Sequence, residues 1–275
     1  MRTLKGKFNA KPVHLTPVLI SLLVGVLCTF LVIESSIDLY SAAPFPEGIG
    51  SLGNGLYFVI LAGIGASLLY LLMKRKNLRL IALITGFALT AATFLVSTVY
   101  LYALLTMYYV PYETALVLVL AISITVVADY EIFRTNGIGN SLTIMLLGGS
   151  LGAFLGMAIP TLSAVLILSF LAVYDVFAVY RGPVGKMARE GLEQLRGLSV
   201  SFKDVQIGLG DLTFYSMLVS LVLSNAGPIF CAASAIGILS GAFLAFKLLE
   251  KKGMFPGLPF SVALGLTPLI IWLVL

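Results

Sequence analysis

Nine runs of apolar residues, separated by short polar stretches, organise the 275-residue chain. They cover roughly Leu15–Ile33, Leu56–Met73, Leu80–Tyr100, Thr114–Ala128, Leu142–Ile159, Thr161–Tyr180, Val205–Leu223, Ile229–Leu249 and Leu258–Leu275. Most approach the ~20 residues that a helix needs to cross a hydrocarbon core of ~30 Å. The pattern predicts an all-α polytopic membrane protein with nine transmembrane helices. Two runs nearly touch at Ile159-Pro160-Thr161, and proline disfavours helix at the residue before it, so a break is expected there. The first run has a basic lead and small residues at Ser41-Ala42-Ala43, as a signal peptide would. It is longer than the ~7–15 residues of a signal-peptide apolar core, so a retained helix is expected.

Composition agrees: 60% of residues are hydrophobic and 11% charged, against about 25% charged in soluble domains. No separate soluble domain is expected. The chain reads as one membrane-embedded domain over 1–275, with five scaffold spans in 1–160 and four spans carrying the candidate chemistry in 161–275. The net charge of +5 sits in the stretches between runs, which points to lipid headgroups rather than nucleic acid. Cys28 and Cys231 fall within apolar runs and read as packing residues rather than a disulfide. His14, the single histidine, reads as interfacial.

The basic residues fix an orientation. Number the polar stretches alternately to one side and the other. Every Lys and Arg then falls on one side: Arg2 to Lys11, Lys74 to Arg79, Arg134, Arg181 to Lys203, and Lys247 to Lys252. By the positive-inside rule that side is the cytoplasm. The N-terminus is then cytoplasmic and the C-terminus outside, with Asp38, Glu47 and Glu113 at the outer face. A multi-pass protein of the cell membrane is expected.

Two acids interrupt the sixth and seventh runs, in Tyr174-Asp175-Val176 and Gly208-Leu209-Gly210-Asp211. A carboxylate at membrane depth costs at least ~2.5 kcal/mol on insertion scales, so it is by default a functional hypothesis. No other acid lies so far inside a run. Asp175 lies six residues before Arg181, so ~9 Å inside at ~1.5 Å per residue; Asp211 lies eight after Lys203, so ~12 Å by the same rise. Spans joined by one connection tend to be neighbours, so the sequence permits the two carboxyls to face each other on the cytoplasmic half. Two carboxyls a few ångströms apart cannot both ionise easily and share one proton. The ionised member can take a proton from water while the protonated member polarises a carbonyl. That is the arrangement of an aspartic protease.

Gly208 and Gly210 loosen the backbone beside Asp211. Gly148, Gly152 and Gly156, spaced by four, read instead as helix packing by small residues. Pro256-Gly257-Leu258-Pro259, just after Lys251-Lys252, predicts non-helical backbone at the depth of the acids. Such backbone is tolerated at membrane depth only against protein or water, and an extended substrate could add to it as a strand. A simple helix start is the other reading.

Tyr174-Asp175, Gly208-Leu209-Gly210-Asp211 and Pro256-Gly257-Leu258-Pro259 resemble the Y-D, G-x-G-D and P-A-L-P motifs of the presenilin and signal peptide peptidase family, in the family's order and on its spans. Gly257 departs from the usual alanine. The resemblance covers the whole nine-span layout and implies a presenilin-like fold. It implies an intramembrane aspartic endopeptidase that cuts transmembrane-helix substrates, needing no cofactor, metal or accessory subunit. It implies catalytic roles for Asp175 and Asp211, and substrate contacts at Tyr174, Gly208, Leu209, Gly210, Pro256, Gly257, Leu258 and Pro259. The cytoplasmic N-terminus is similar to presenilin rather than to signal peptide peptidase. The short connection from Arg181 to Lys203 argues against autoprocessing and suggests a single-chain, archaeal-type homologue.

Other chemistries fit less well. There is no H-E-x-x-H motif of a zinc protease. Gly148-Gly149-Ser150-Leu151-Gly152 matches G-x-S-x-G by letter but lies in an apolar helix, far in sequence from the single histidine. A prepilin or archaellin peptidase would use the G-x-G-D acid but leave the other two motifs unexplained. A proton- or cation-coupled carrier would also use paired intramembrane acids, although carriers usually show internal repeats.

Overall fold

The computed structural model describes residues 2–3, 9–108, 110, 113–135, 137–182 and 197–274. Lys5, Lys7, Lys186, Arg189, Arg196 and Leu275, used above for orientation or span ends, lie outside the described residues. The helices are α1 (Thr16–Ser35), α2 (Gly50–Lys74), α3 (Leu78–Met107), α4 (Glu113–Arg134), α5 (Ile138–Ala158), α6 (Thr161–Tyr180), α7 (Leu209–Lys252) and α8 (Leu258–Val274). A 3₁₀ turn, Pro12–Leu15, precedes α1. Among the described residues seven helices, α1 to α7, are long and apolar enough to cross a membrane, and α8 is a shorter apolar helix.

Two features differ from the sequence expectation. The seventh and eighth runs follow one another with no loop between them: α7, 44 residues long, consists of two helical limbs that meet at Gly227. At ~1.5 Å per residue a straight helix of that length would be about twice as long as a hydrocarbon core is thick. It is broken at one residue, Gly227, whose φ of 83° and ψ of −178° are non-helical. Pro228 follows and has no N–H to continue the ladder. Ser224 and Asn225, which look like a polar connection, bond back to the Leu221 carbonyl at 3.1 and 2.8 Å and keep the first limb helical up to the break.

The second difference is a small sheet, so the fold is not purely helical. β1 (Arg2–Thr3), β2 (Ser199–Phe202) and β3 (Val205–Gly208) form an antiparallel sheet in the order β1-β3-β2. The seventh run was expected to be helical from Val205. Its first four residues are instead β3, and Lys203-Asp204 form the two-residue turn from β2, with Lys203 at φ 53°. The helical rise used to estimate the depth of Asp211 therefore does not apply over that stretch, and Asp211 lies in the first turn of α7.

The core forms where α1, α5 and the first limb of α7 pack together, with α8 against α7. Small residues allow this. A Cβ on Gly152 would meet the Thr213 carbonyl oxygen, and one on Gly156 the Met217 carbonyl oxygen, both on α7. A Cβ on Gly149 would lie 2.6 Å from the Ser21 carbonyl oxygen on α1. The four-residue spacing of Gly148, Gly152 and Gly156 thus brings backbones into contact, as expected. Between α1 and α7, the Ser216 hydroxyl donates to the Ser21 carbonyl at 2.9 Å. α6 joins this core through Ala164, Ile167, Leu168, Leu171 and Ala172 but from a different side. It packs chiefly on α2 and α8 and only lightly on α7. A buried polar cluster ties α6 to α2: Asn54 Nδ2 donates to Ser163 Oγ at 2.9 Å, and the Ser163 hydroxyl to Ser51 Oγ at 3.0 Å. Glu47 Oε1 accepts the Leu162 amide in the first turn of α6.

His14 is not exposed at an interface. It is buried, its Nδ1 accepts the Lys11 amide at 3.0 Å, and its ring meets Phe246 edge-on. Cys28 and Cys231 are free thiols. Ser150 Oγ bonds back to the Leu146 carbonyl within α5, an ordinary helical serine rather than a nucleophile on a strand–helix elbow.

Candidate active site

The stretch from Gly253 to Gly257 is not helical, and α8 starts at Leu258. The two readings of the proline motif therefore both hold in part: Pro256 and Gly257 are non-helical, while Leu258 and Pro259 open a helix. Pro256, Gly257 and Leu258 are buried. Lys252 anchors the approach, with Nζ 5.5 Å from the Tyr180 ring centroid and 5.8 Å from that of Phe255. The Tyr180 and Phe255 rings meet edge-on, so the end of α6 is fixed beside this turn.

Both acids reach the turn. The Leu258 amide donates to Asp175 Oδ2 at 3.1 Å. A Cβ placed on Gly257 would lie 2.9 Å from Asp211 Oδ2 and 3.0 Å from the Tyr215 hydroxyl. Each carboxyl also sits at a helix N-terminus, where free amides and the helix dipole favour negative charge. Asp175 occupies that of α8. Asp211, three residues after the N-cap Gly208, lies in the first turn of α7.

The remaining expected site residues divide. Gly210 is exposed beside Asp211, and Gly208 ends β3. Leu209 is buried against α5 near Gly148, and its amide donates to the Leu198 carbonyl at 2.9 Å, so its side chain serves packing. Tyr174 turns toward α2, where its hydroxyl faces Gly63. It lines a cavity of about 580 Å³ with Ile60, Ile64, Ser67, Leu71 and Phe177.

Three residues were missed. Tyr215 is fully buried and its hydroxyl donates to the Gly257 carbonyl at 2.8 Å. Ser261, also fully buried, donates to the same carbonyl at 3.2 Å. The available signal was spacing: each lies four residues, one helical turn, after a motif residue. The third is Asp129, a further acid inside a helix. α4 continues past the expected end at Ala128 to Arg134, which encloses it. Thr90 Oγ1 donates to its Oδ2 at 2.7 Å, while Oδ1 is buried without a partner among the described residues.

No protein-family model matches the chain. In solved structures the fold is similar to that of a presenilin-family intramembrane aspartate protease. Its C222 crystal form superposes with a TM-score of 0.65 at 20% identity, covering 94% of this chain and 98% of that one. Its P2 form gives 0.61 at 19% identity, covering 96% of each. The chain thus has the presenilin-family fold. In sequence it is 34% identical over 121 residues to presenilin-B of Dictyostelium discoideum. That match covers 39% of this chain and spans a quarter (25%) of the relative's length.

Proposed function

We propose that the chain is an intramembrane aspartic endopeptidase that hydrolyses peptide bonds within transmembrane segments of membrane proteins. One observation carries the reading: in a presenilin-like fold, the carboxyls of Asp175 and Asp211 converge on the turn Pro256–Leu258. The pair shares one proton. The ionised carboxylate takes a proton from water as that water attacks the scissile carbonyl, and the protonated partner donates to the carbonyl oxygen. Collapse of the tetrahedral intermediate returns a proton to the leaving amine. Helix N-terminal amides at both carboxyls stabilise the negative charge without reorganisation. The non-helical backbone through Gly257 and the loose glycines Gly208 and Gly210 receive an unwound substrate. Tyr174 contacts the substrate from the α2 side.

In this reading the break at Gly227 separates two spans, giving nine in all, with the N-terminus cytoplasmic and the C-terminus outside. The basic residues lie on the cytoplasmic side of the cell membrane and so does the site, which admits water. The chain acts as one membrane-embedded unit without accessory subunits. Purified protein is incubated in detergent with a single-span substrate and the products are read by mass spectrometry. Cleavage blocked by an aspartic-protease transition-state analogue is expected. Intact substrate, together with ion flux through reconstituted vesicles, would assign the acids to a carrier instead.

A further inference from the structure

The two acids reside on different helices, α6 and α7, which touch each other only lightly. Something else must hold their separation. Tyr215 lies one turn after Asp211 on α7, so both side chains lie on one face. Its hydroxyl donates to the Gly257 carbonyl at 2.8 Å, and the next amide, that of Leu258, donates to Asp175 at 3.1 Å. The connections form a continuous path from Asp211 along one helical turn to Tyr215, across to the turn, and on to Asp175.

We propose that Tyr215 is a positioning residue: its hydroxyl ties the turn that holds Asp175 to the helix that carries Asp211. The inference rests on the protease reading for its catalytic meaning, while the tie itself does not. The ring packs in the main apolar core and the hydroxyl reaches beyond it. It is fully buried, and its one polar atom is spent on a turn carbonyl that Ser261 already satisfies. A structural role needs only the ring, so a phenylalanine would supply it. The hydroxyl adds a fixed length between α7 and the turn. Reacting groups must be held within fractions of an ångström, and a displacement of about 1 Å can cost about 100-fold in rate.

The test uses the full chain in detergent with two readouts. Hydrogen exchange at Gly257 and Leu258 is expected to quicken at least tenfold in Tyr215→Phe and much less in Ser261→Ala, which leaves the tie to α7 in place. With a single-span substrate, Tyr215→Phe is expected to lower kcat at least tenfold with KM within twofold of wild type. The double variant with Ser261→Ala should lose more than the product of the single losses, because the carbonyl they share is then left without either hydroxyl donor. Unchanged exchange in Tyr215→Phe overturns the tie. Wild-type kcat in that variant, alongside cleavage by the parent, overturns its catalytic use. If the parent itself cleaves nothing while exchange responds as expected, the protease reading falls and takes the catalytic use with it.

Discussion

The Leu258 amide and the Asp175 carboxylate, 83 positions apart in sequence, are joined by a 3.1 Å hydrogen bond at the start of α8. Asp211 stands at the same turn, 2.9 Å from where a Gly257 Cβ would be. The pair should therefore behave as one catalytic unit. Asp175→Asn and Asp211→Asn are each expected to abolish cleavage while the fold is retained, and the double variant should be no worse than either. Substantial turnover by either single variant in the detergent assay would sink the dyad.

Gly257→Ala tests the crowding at the turn. The added methyl would meet Asp211 Oδ2 at 2.9 Å and the Tyr215 hydroxyl at 3.0 Å, so one of them must move. Cleavage is expected to fall about tenfold or more, and the melting temperature to fall too, because the Tyr215 hydroxyl that the methyl meets is buried and hydrogen-bonded to the turn. Wild-type kcat/KM would mean that the turn shifts away from both acids without consequence.

Pro256→Ala and Leu258→Ala are both expected to lower cleavage strongly, but they should differ in stability. Leu258 is 5% exposed within the main apolar core, and truncating a buried leucine costs about 2–5 kcal/mol. Its variant should melt lower as well as cleave less. Pro256→Ala removes no large apolar side chain and should melt near the parent, which makes it the cleaner probe. Full cleavage by both variants would leave the motif as a helix start and nothing more.

Membrane orientation follows from where the cations fall. With Cys28 and Cys231 replaced, a cysteine at exposed Lys251 should label only from the cytoplasmic side, and one at exposed Ser41 only from outside. Labelling in the opposite sense would invert the site along with the chain.

Gly152→Leu should fail where the acid variants fold. Even a Cβ at this position meets the Thr213 carbonyl and lies 2.6 Å from Ser216 Cβ. Overpacking costs ~1–3 kcal/mol when side chains can yield, and more is expected against backbone. A melting temperature equal to the parent's would contradict the α5–α7 contact.

Sequence and structure agree best where sequence has physical punctuation. α6 runs over Thr161–Tyr180 as read, because Pro160 closes one end and Arg181 lies just past the other. The two acids and the proline turn were legible because acids and prolines are conspicuous in apolar runs. The strand Val205–Gly208 was not: four residues continuous with an apolar helix carry no periodicity that separates the two states. The junction at Ser224–Pro228 was read as a polar connection, but intrahelical bonds from Ser224 and Asn225 satisfy their polarity without leaving the helix. Tyr215 was passed over because its partner, Gly257, lies 42 positions away and nothing local marks the pairing. Asp129 was passed over because its run was ended one residue too soon, when Thr90 on α3 answers one of its oxygens.

The division of packing described above has a practical result for anyone assaying this protein. The glycine-lined contact of α1, α5 and α7 is the extensive one, and α6 rests on α2 and α8 beside it. The buried residues of α6, Ala164 to Ala172, nonetheless share the main apolar core with those of α1, α5 and α7, so heat denaturation reports on that shared core. A change confined to the Asp175 end of α6, beyond those residues, can misalign the acids with little effect on the melting curve. For this molecule a normal thermogram is evidence of folding alone, and competence has to be measured at the seam.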